Sequence, residues 1–185
     1  MTTVLLAIDD GCEEIEAVTC IDVLRRAGVE VCVASAKNDS LQITASRGVK
    51  IVADQGLLEC VDHTWDMIVL PGGMPGAKNL SENAALITRL KRQLDQGKWV
   101  AAICAAPAVI LGEHQLIEGA TATCYPSFQN DFKDKIERLS QNSVVVDGNL
   151  ITSQGPGTAM AFALKLVSVL MDQKKADEVA KALLF

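Results

Sequence analysis

Cys104 stands between an apolar run, residues 98–103, and a segment of helix-forming residues, 105–111. A residue held between a buried strand and a helix is forced into a tight, strained turn that lifts its side chain out of the sheet, as in a nucleophile elbow. At the start of a helix, the backbone N–H groups and the helix dipole favour a thiolate over a thiol. We therefore predict that Cys104 is a reactive nucleophile with a lowered pKa. The alternative is a buried structural cysteine, which is our expectation for the other cysteines.

Glu16 is the acidic side chain that we expect to serve Cys104. It follows the first apolar run, residues 4–8, and lies in the first turns of the helix expected at 14–27, so its carboxyl can point toward the elbow. A desolvated carboxyl beside a thiolate has a raised pKa, because two like charges cannot both ionise cheaply. In its protonated form it can donate a hydrogen bond to sulfur and pass protons to a substrate. Alternatively, Glu16 only complements the helix dipole, and the sequence leaves the two roles open.

A glycine pair, Gly72 and Gly73, follows the apolar run Met67–Leu70. Residues without a side chain can bring bare backbone N–H groups to an oxyanion, and we expect the amide of Ala105 to assist them. The alternative is an ordinary turn. In parallel sheets, ligands bind beyond the carboxyl ends of the strands, so we expect the turns after the strands to converge on one rim.

Alternating apolar strands and amphipathic helices organise the chain. This order predicts an α/β fold in which helices cover both faces of a mostly parallel sheet. No linker, repeat or low-complexity segment divides the sequence, and we expect a single domain over residues 1–185. The predicted strands are 4–8, 30–35, 67–70 and 98–103, with short pairs at 41–44 and 49–52 and at 144–146 and 150–152; the predicted helices are 14–27, 84–96, 105–111, 157–171 and 174–184.

Composition excludes several classes of protein. A net charge of −6 with scattered Lys and Arg argues against nucleic acid as the primary partner. No segment has the pattern of an export signal or the length of about 20 apolar residues that spans a bilayer, so we expect a cytoplasmic protein whose six cysteines are reduced. No Cys-x-x-Cys pair occurs, and His63 and His114 are isolated, so we expect no bound metal.

Five short blocks carry a family resemblance: Glu14-Ile-Glu16, Ser46-Arg-Gly48, Leu70-Pro-Gly-Gly73, Ala102-Ile-Cys-Ala-Ala-Pro107 and Thr152-Ser-Gln-Gly-Pro-Gly-Thr158. In this order and spacing they resemble the ThiJ/PfpI superfamily, and within it the branch of bacterial YajL and the parkinsonism-associated protein deglycase. The resemblance implies a flavodoxin-like three-layer sandwich and a homodimer that needs no cofactor. It marks Cys104 and Glu16 as the reactive thiol and its acidic partner. It also suggests that Arg26 and Arg47 lie near the pocket and the dimer interface.

Two positions depart from the family pattern. Peptidase-like members have a histidine after the nucleophile, where this chain has Ala105, and some members of the branch have a histidine before the proline that corresponds to Pro126, where this chain has Tyr125. Without either imidazole, the general base of a thiol protease is missing, and we do not expect protease activity. Tyr125 is expected either to hydrogen-bond a ligand or, more simply, to cap the pocket.

Aldehyde chemistry is the first function that the resemblance implies. The Cys104 thiolate would add to the carbonyl of an α-oxoaldehyde such as methylglyoxal, and Glu16 would shuttle a proton between the adjacent carbons before water releases a 2-hydroxy acid. This is a glyoxalase III-type reaction. A related deglycase activity would act on early adducts of glyoxals with protein thiols and amines, and both activities would protect against carbonyl and oxidative stress.

Two alternatives belong to other classes. In one, Cys104 is an oxidative-stress sensor whose sulfinate is stabilised by protonated Glu16, and the dimer is a chaperone with little turnover. In the other, the protein is a structural or partner-binding module, for which an unreactive Cys104 would be the signature.

Overall fold

The computed structural model describes residues 1–37 and 39–185. Its strands are β1 (Thr3–Ile8), β2 (Glu30–Ser35), β3 (Gln42–Thr44), β4 (Lys50–Val52), β5 (Gln55–Gly56), β6 (Met67–Leu70), β7 (Trp99–Ile103), β8 (Thr121–Ala122), β9 (Arg138–Leu139), β10 (Val144–Asp147) and β11 (Leu150–Ser153). Its α-helices are α1 (Glu14–Arg26), α2 (Leu57–Cys60), α3 (Gly76–Ser81), α4 (Ala84–Asp95), α5 (Gln129–Phe132), α6 (Ala159–Leu170) and α7 (Gln173–Ala182). A π-helical segment covers Pro107–Gly112.

A seven-stranded sheet in the order β10-β11-β7-β6-β1-β2-β5 forms the centre of the fold. Only β10 runs antiparallel to its neighbour; the remaining pairs are parallel. The side chains of β1 from Val4 to Ile8 are fully buried, which explains their continuous apolar run, since helices cover both faces of a parallel sheet. The flavodoxin-like sandwich expected from the sequence is confirmed.

Two hairpins lie where the sequence predicts them. β3 and β4 pair antiparallel and are joined by a turn at Gly48, whose φ of 88° suits a residue without a Cβ. β10 and β11 pair antiparallel around Gly148, whose φ is 55°. The first hairpin is tied to the loop after β1, because the Gly11 N–H donates to Thr44 O and the Ser46 N–H donates to Cys12 O, both at 2.8 Å.

The helix boundaries follow from local chemistry. α1 has acidic residues in its first turn and basic residues in its last, which complements the helix dipole, and Gly28 follows it with a φ of 83°. Asn83 caps α4 by accepting a hydrogen bond from Leu86 N, and Asp172 caps α7 in the same way from Lys175 N.

The helix predicted at 105–111 differs from the expectation. It is π-helical over Pro107–Gly112, and Glu113 N donates to Ala108 O, five residues back. Pro107 has no N–H to offer the regular ladder, which favours a shifted pattern at this point.

None of the helices among the described residues is long and apolar enough to cross a membrane.

The start of α3 approaches the loop after β1 too closely to admit a side chain. A Cβ at Gly76 would lie 2.4 Å from Cys12 N and 2.6 Å from Cys12 Cα. Backbone atoms cannot move away as a flexible side chain can, so this position must remain glycine for the two loops to meet.

We expect Gly76→Ala to lower the free energy of unfolding by about 1–3 kcal/mol, because the added methyl group forces a backbone shift. Thermal unfolding followed by circular dichroism measures the loss. Gly119→Ala is the matched control, since a Cβ there meets no atom within 4 Å. Equal melting temperatures for the two variants would contradict the close approach.

Candidate active site

Cys104 follows β7 with a φ of 66°, a left-handed conformation that is rare for a residue with a side chain. Two backbone hydrogen bonds hold it there: Cys104 N donates to Ser153 O at 3.0 Å, and Tyr125 N donates to Cys104 O at 2.8 Å. Its exposed fraction is 9%. The nucleophile elbow predicted from the sequence is therefore present, and hydrogen bonds to two neighbouring segments hold its strained backbone in place.

The end of β6 packs directly against this elbow. A Cβ at Gly72 would lie 2.6 Å from Cys104 Cβ and 2.9 Å from Ala105 N. Gly73 has a φ of 84°, and a Cβ there would lie 2.4 Å from Glu13 N. Both positions require glycine because three chain segments meet at van der Waals distance.

Glu16 is fully buried beside these segments. Its Oε2 accepts a hydrogen bond from Gly72 N at 2.8 Å, and the Cys104 thiol is a second hydrogen-bonding neighbour of the carboxyl. Burial raises the pKa of Glu16 to about 7, against the opposing hydrogen bonds of Gly72 and the Cys104 thiol. Near neutral pH, this carboxyl is thus able both to accept and to donate a proton.

The pKa of Cys104 is raised to about 12, first by burial and then by the negative charge of Glu16. Backbone N–H groups of Gly73 and Ala105 oppose this shift. The prediction of a lowered pKa is therefore wrong for the resting site, because desolvation and a like charge outweigh the N–H groups at the helix start. The thiol and the carboxyl titrate as one coupled pair, in which protonation of Glu16 relieves the repulsion.

The predicted oxyanion donors divide into two groups. The amides of Gly73 and Ala105 both act on the Cys104 sulfur, as an oxyanion site requires. The Gly72 N–H instead donates to Glu16, so it is not free for an oxyanion. Gly72 instead lets the end of β6 approach Cys104 closely, and its N–H orients the Glu16 carboxyl.

A cavity of about 280 Å³ opens above Cys104. Gly73 and Ala105 line it together with four apolar wall residues, which are Met74, Tyr125, Phe128 and Pro156. The Tyr125 ring packs on Gly155, where a Cβ would lie 3.1 Å from Tyr125 Cδ2. Tyr125 therefore lines the rim of the cavity, where both of its expected roles, hydrogen bonding to a ligand and capping, would place it.

The polar wall of the cavity is formed by Glu13, Ser46 and Arg47. Ser46 Oγ lies 2.8 Å from Oε2 of Glu13 and 2.8 Å from Oε2 of Glu14, and Arg47 N donates to Glu14 Oε1 at 2.9 Å. The Arg47 guanidinium donates to Ser46 O at 3.3 Å and takes part in none of the ion pairs among residues 1–37 and 39–185. This cation suits a ligand with a carboxylate or a carbonyl oxygen.

Some residues considered from the sequence lie elsewhere. Arg26 forms an ion pair of 2.6 Å with Asp22 at the exposed end of α1 and does not line the cavity within one chain. Cys12, Cys20 and Cys124 are buried and do not line it either.

Five cavity residues were not among the predicted site residues, namely Glu13, Ser46, Met74, Phe128 and Pro156. Met74 lies in the glycine- and proline-rich turn after β6, where its neighbours already signalled a site. Phe128 ends a 3-10 helix of three residues, Pro126–Phe128, which is too short for a periodic pattern, so no sequence signal pointed to it. Among the described residues, no cluster of three or more His, Cys, Asp and Glu side chains is suited to a metal ion.

The model of the DJ-1/PfpI family matches residues 2–169 of the sequence. The chain belongs to the DJ-1/PfpI family. This confirms the resemblance to the ThiJ/PfpI superfamily that the five sequence blocks indicate.

Individual DJ-1 proteins match over almost the whole chain. Protein DJ-1 homolog B of Arabidopsis thaliana is 44% identical over 181 residues, which are 98% of this chain and 41% of that protein. The glutathione-independent glyoxalase DJR-1.2 of Caenorhabditis elegans is 34% identical over 97% of this chain and 94% of that protein. The solved structure of oxidized Toxoplasma gondii DJ-1 has a TM-score of 0.96 at 44% identity, covering 100% of this chain and 99% of that chain. The chain spans less than half the length of the two Arabidopsis relatives, 41% and 46%.

We expect Glu16→Gln to speed the alkylation of Cys104 above pH 8, because it removes the charge that raises the thiol pKa. Each unit of lowered pKa increases the thiolate fraction, and so the rate, by about tenfold. Below the Glu16 pKa of about 7, the wild-type carboxyl is protonated and uncharged. The difference in Cys104 alkylation rate between wild type and Glu16→Gln should therefore narrow at low pH. Mass spectrometry of the Cys104 peptide after iodoacetamide pulses measures both rates.

Glu30→Gln, at an exposed position of β2, is the control for general charge effects. An unchanged or slower rate in Glu16→Gln above pH 8 would show that ionised Glu16 does not suppress the thiolate.

Proposed function

We propose that this protein is a cofactor-independent thiol enzyme that converts α-oxoaldehydes into 2-hydroxy acids. The observation that carries the proposal is the buried pair of Cys104 and Glu16, with the carboxyl pKa near 7. A group with this pKa is suited to move protons in both directions at neutral pH. The name of the Caenorhabditis elegans relative, a glutathione-independent glyoxalase, supports the same chemistry.

The first step forms a bond between sulfur and the aldehyde carbon. Ionised Glu16 takes the proton of the Cys104 thiol, the sulfur attacks, and the aldehyde oxygen receives the proton to give a hemithioacetal. The N–H groups of Gly73 and Ala105 stabilise the negative oxygen as it develops. The high resting pKa of Cys104 means that thiolate forms only transiently, during this transfer.

The second step moves a proton between the two substrate carbons. Glu16 removes the proton from the carbon bonded to sulfur and delivers it to the neighbouring carbonyl carbon through an enediol. The product is a thioester of a 2-hydroxy acid. Water then hydrolyses the thioester, releases the acid and restores the thiol, so that the net reaction adds one water to the α-oxoaldehyde.

The cavity supports a small substrate and a deglycase variant of the same chemistry. A volume of about 280 Å³ accommodates a three-carbon oxoaldehyde, and Arg47 is placed to bind its ketone oxygen or the carboxylate of the product. The half-exposed Tyr125 at the rim leaves the cavity open to solvent. An early glyoxal adduct on a thiol or amine of a glycated protein is thus a second substrate of the proposed site.

A stress-sensor role is the second candidate. Protonated Glu16 and the amides of Gly73 and Ala105 are donors that would stabilise a Cys104 sulfinate after reaction with a peroxide. The related Toxoplasma gondii structure, described as oxidized, favours this candidate.

We expect reduced wild-type protein to produce lactate from methylglyoxal at steady state, and Cys104→Ala to produce none. Glu16→Gln should lose about 10²–10⁴-fold in turnover, because proton transfer is lost while the thiol remains. Cys32→Ser, which lies outside the cavity, should retain full activity. If wild type produces no lactate and Cys104 takes up two oxygens, the enzyme function is wrong and the stress-sensor function is favoured.

We also propose that the protein is a homodimer. α1 exposes Ile15 and Val18 at 54% and 48%, and the neighbouring hairpin exposes Val49 and Val52 at 49% and 67%. Hydrogen bonds between the hairpin and the loop before α1 make these side chains one surface. A second copy that presents the same apolar surface would cover it in an isologous interface, and the expectation that Arg26 lies near an interface fits its place on α1.

Sedimentation of wild-type protein at micromolar concentration should give a dimer, and Val18→Lys should shift it toward the monomer by burying a charge at the interface. Lys174→Ala, at an exposed position outside this surface, is the control. A monomeric wild-type protein would overturn the dimer.

We propose that the protein acts in the cytoplasm. All six cysteines are free thiols, the state that a reducing compartment maintains. The net charge of −6 supports a small-molecule or protein substrate over nucleic acid.

A further inference from the structure

A second thiol pair lies apart from the Cys104 cavity, at the edge of the central sheet. Cys32 is a partly exposed residue of β2, and Cys60 is a fully buried residue at the end of α2. The edge strand β5 pairs with β2 through Ala34 and Gln55 and continues directly into α2. The connection is short, so α2 packs against β2 and brings the two cysteines together.

The Cys32 sulfur has two hydrogen-bonding neighbours. Gln55 Nε2 donates to Cys32 Sγ at 3.0 Å, and the Cys60 thiol is the second hydrogen-bonding neighbour of this sulfur. The hydrogen bond from Cys60 is the main cause that lowers the pKa of Cys32 to about 7; burial opposes it and Gln55 reinforces it. The pKa of Cys32 is therefore shifted toward the thiolate, in the direction opposite to the shift of Cys104.

The charged groups around the pair act in opposite directions. Arg25 Nη2 lies 2.9 Å from Asp54 Oδ2 and donates to Val31 O at 3.1 Å. Asp54 raises and Arg25 lowers the pKa of Cys32, and Glu59 acts on Cys60. The hydrogen bonds from Cys60 and Gln55, and not a net positive charge, stabilise the Cys32 thiolate.

We propose that Cys32 and Cys60 form a second redox site, in which Cys32 reduces a hydroperoxide and Cys60 resolves the product as an intrachain disulfide. In the first step, the Cys32 thiolate attacks the outer oxygen of the hydroperoxide, the O–O bond breaks, and the departing alkoxide takes up a proton as an alcohol or water. Cys32 is then a sulfenic acid. In the second step, the Cys60 sulfur attacks the Cys32 sulfur, the S–O bond breaks, and water leaves. A dithiol reductant restores both thiols.

The two cysteines are suited to different parts of this reaction. Cys60 is inaccessible to a peroxide, and its Sγ lies 3.5 Å from Leu57 O and 3.6 Å from Gly56 O. Its pKa is raised chiefly by the hydrogen bond to Cys32, and this cause disappears once Cys32 has become an uncharged sulfenic acid. The resting state thus keeps Cys60 protonated. After oxidation of Cys32, burial and Glu59 still raise the Cys60 pKa, so the Cys60 proton passes to the departing hydroxyl as the disulfide forms.

The test is a tryptic map of native protein after treatment with hydrogen peroxide, with free thiols alkylated before unfolding. Cys32 lies alone in peptide 27–37 and Cys60 lies alone in peptide 51–78, so their disulfide gives a unique cross-linked pair. We expect this pair to form in wild type and to disappear with dithiothreitol. Its absence, with peptide 27–37 unmodified, would overturn the proposal.

Variants separate this site from Cys104. Cys104→Ser should form the cross-link at the wild-type rate, whether or not the proposed aldehyde chemistry is correct, and loss of the cross-link in that variant would contradict an independent site. Cys60→Ser should instead accumulate sulfinic acid on Cys32. Gln55→Leu should slow Cys32 alkylation several-fold at pH 7, because one donor to the thiolate is lost. A cross-link found only between two copies of peptide 27–37 would also refute the intrachain mechanism.

Discussion

The hydrogen bond from Gly72 N to Glu16 Oε2, 2.8 Å long, links every part of the Cys104 site. It ties α1, which carries the carboxyl, to the end of β6, and β6 in turn packs on the elbow so closely that Gly72 has no room for a Cβ beside Cys104. A fully buried carboxyl is expensive to ionise even with hydrogen bonds from Gly72 and the Cys104 thiol, which is why its pKa rises. The proton chemistry of the site therefore follows from how three strand ends meet, and not from the cysteine alone.

The strands that are buried on both faces could be predicted from the sequence almost without error. The bounds expected for β2 and β6 are those observed, because a continuous apolar run bounded by polar or turn residues leaves little freedom. β5, α2 and α3 span two to six residues, which is too short for a periodic pattern, and the sequence missed them. These short elements bring Gln55 and Cys60 to Cys32. The contact between Cys32 and Cys60 therefore could not be predicted from the sequence.

The candidate site was predictable in position but not in electrostatics. Cys104 and Glu16 follow strands, and parallel strands deliver their carboxyl ends to one rim, so their meeting could be anticipated. The direction of the Cys104 pKa could not, because it depends on the depth of burial and on the distance to a like charge. Likewise, Gly72 and Gly73 were expected to have equal roles, whereas their two N–H groups point to different partners, Glu16 and Cys104.

The two edges of the central sheet also bear on how the protein behaves at high concentration. One edge is β5, which is only two residues long and runs straight into α2. At the other, β10 ends in Asp147, whose Oδ2 accepts a hydrogen bond from Thr121 N beside β8. Short and covered edges offer few free N–H and C=O groups to a strand of another molecule. A sheet rich in valine and isoleucine is thereby protected from growing into a fibre, and the dimer that we propose uses the side-chain surface of α1 and its neighbouring hairpin instead.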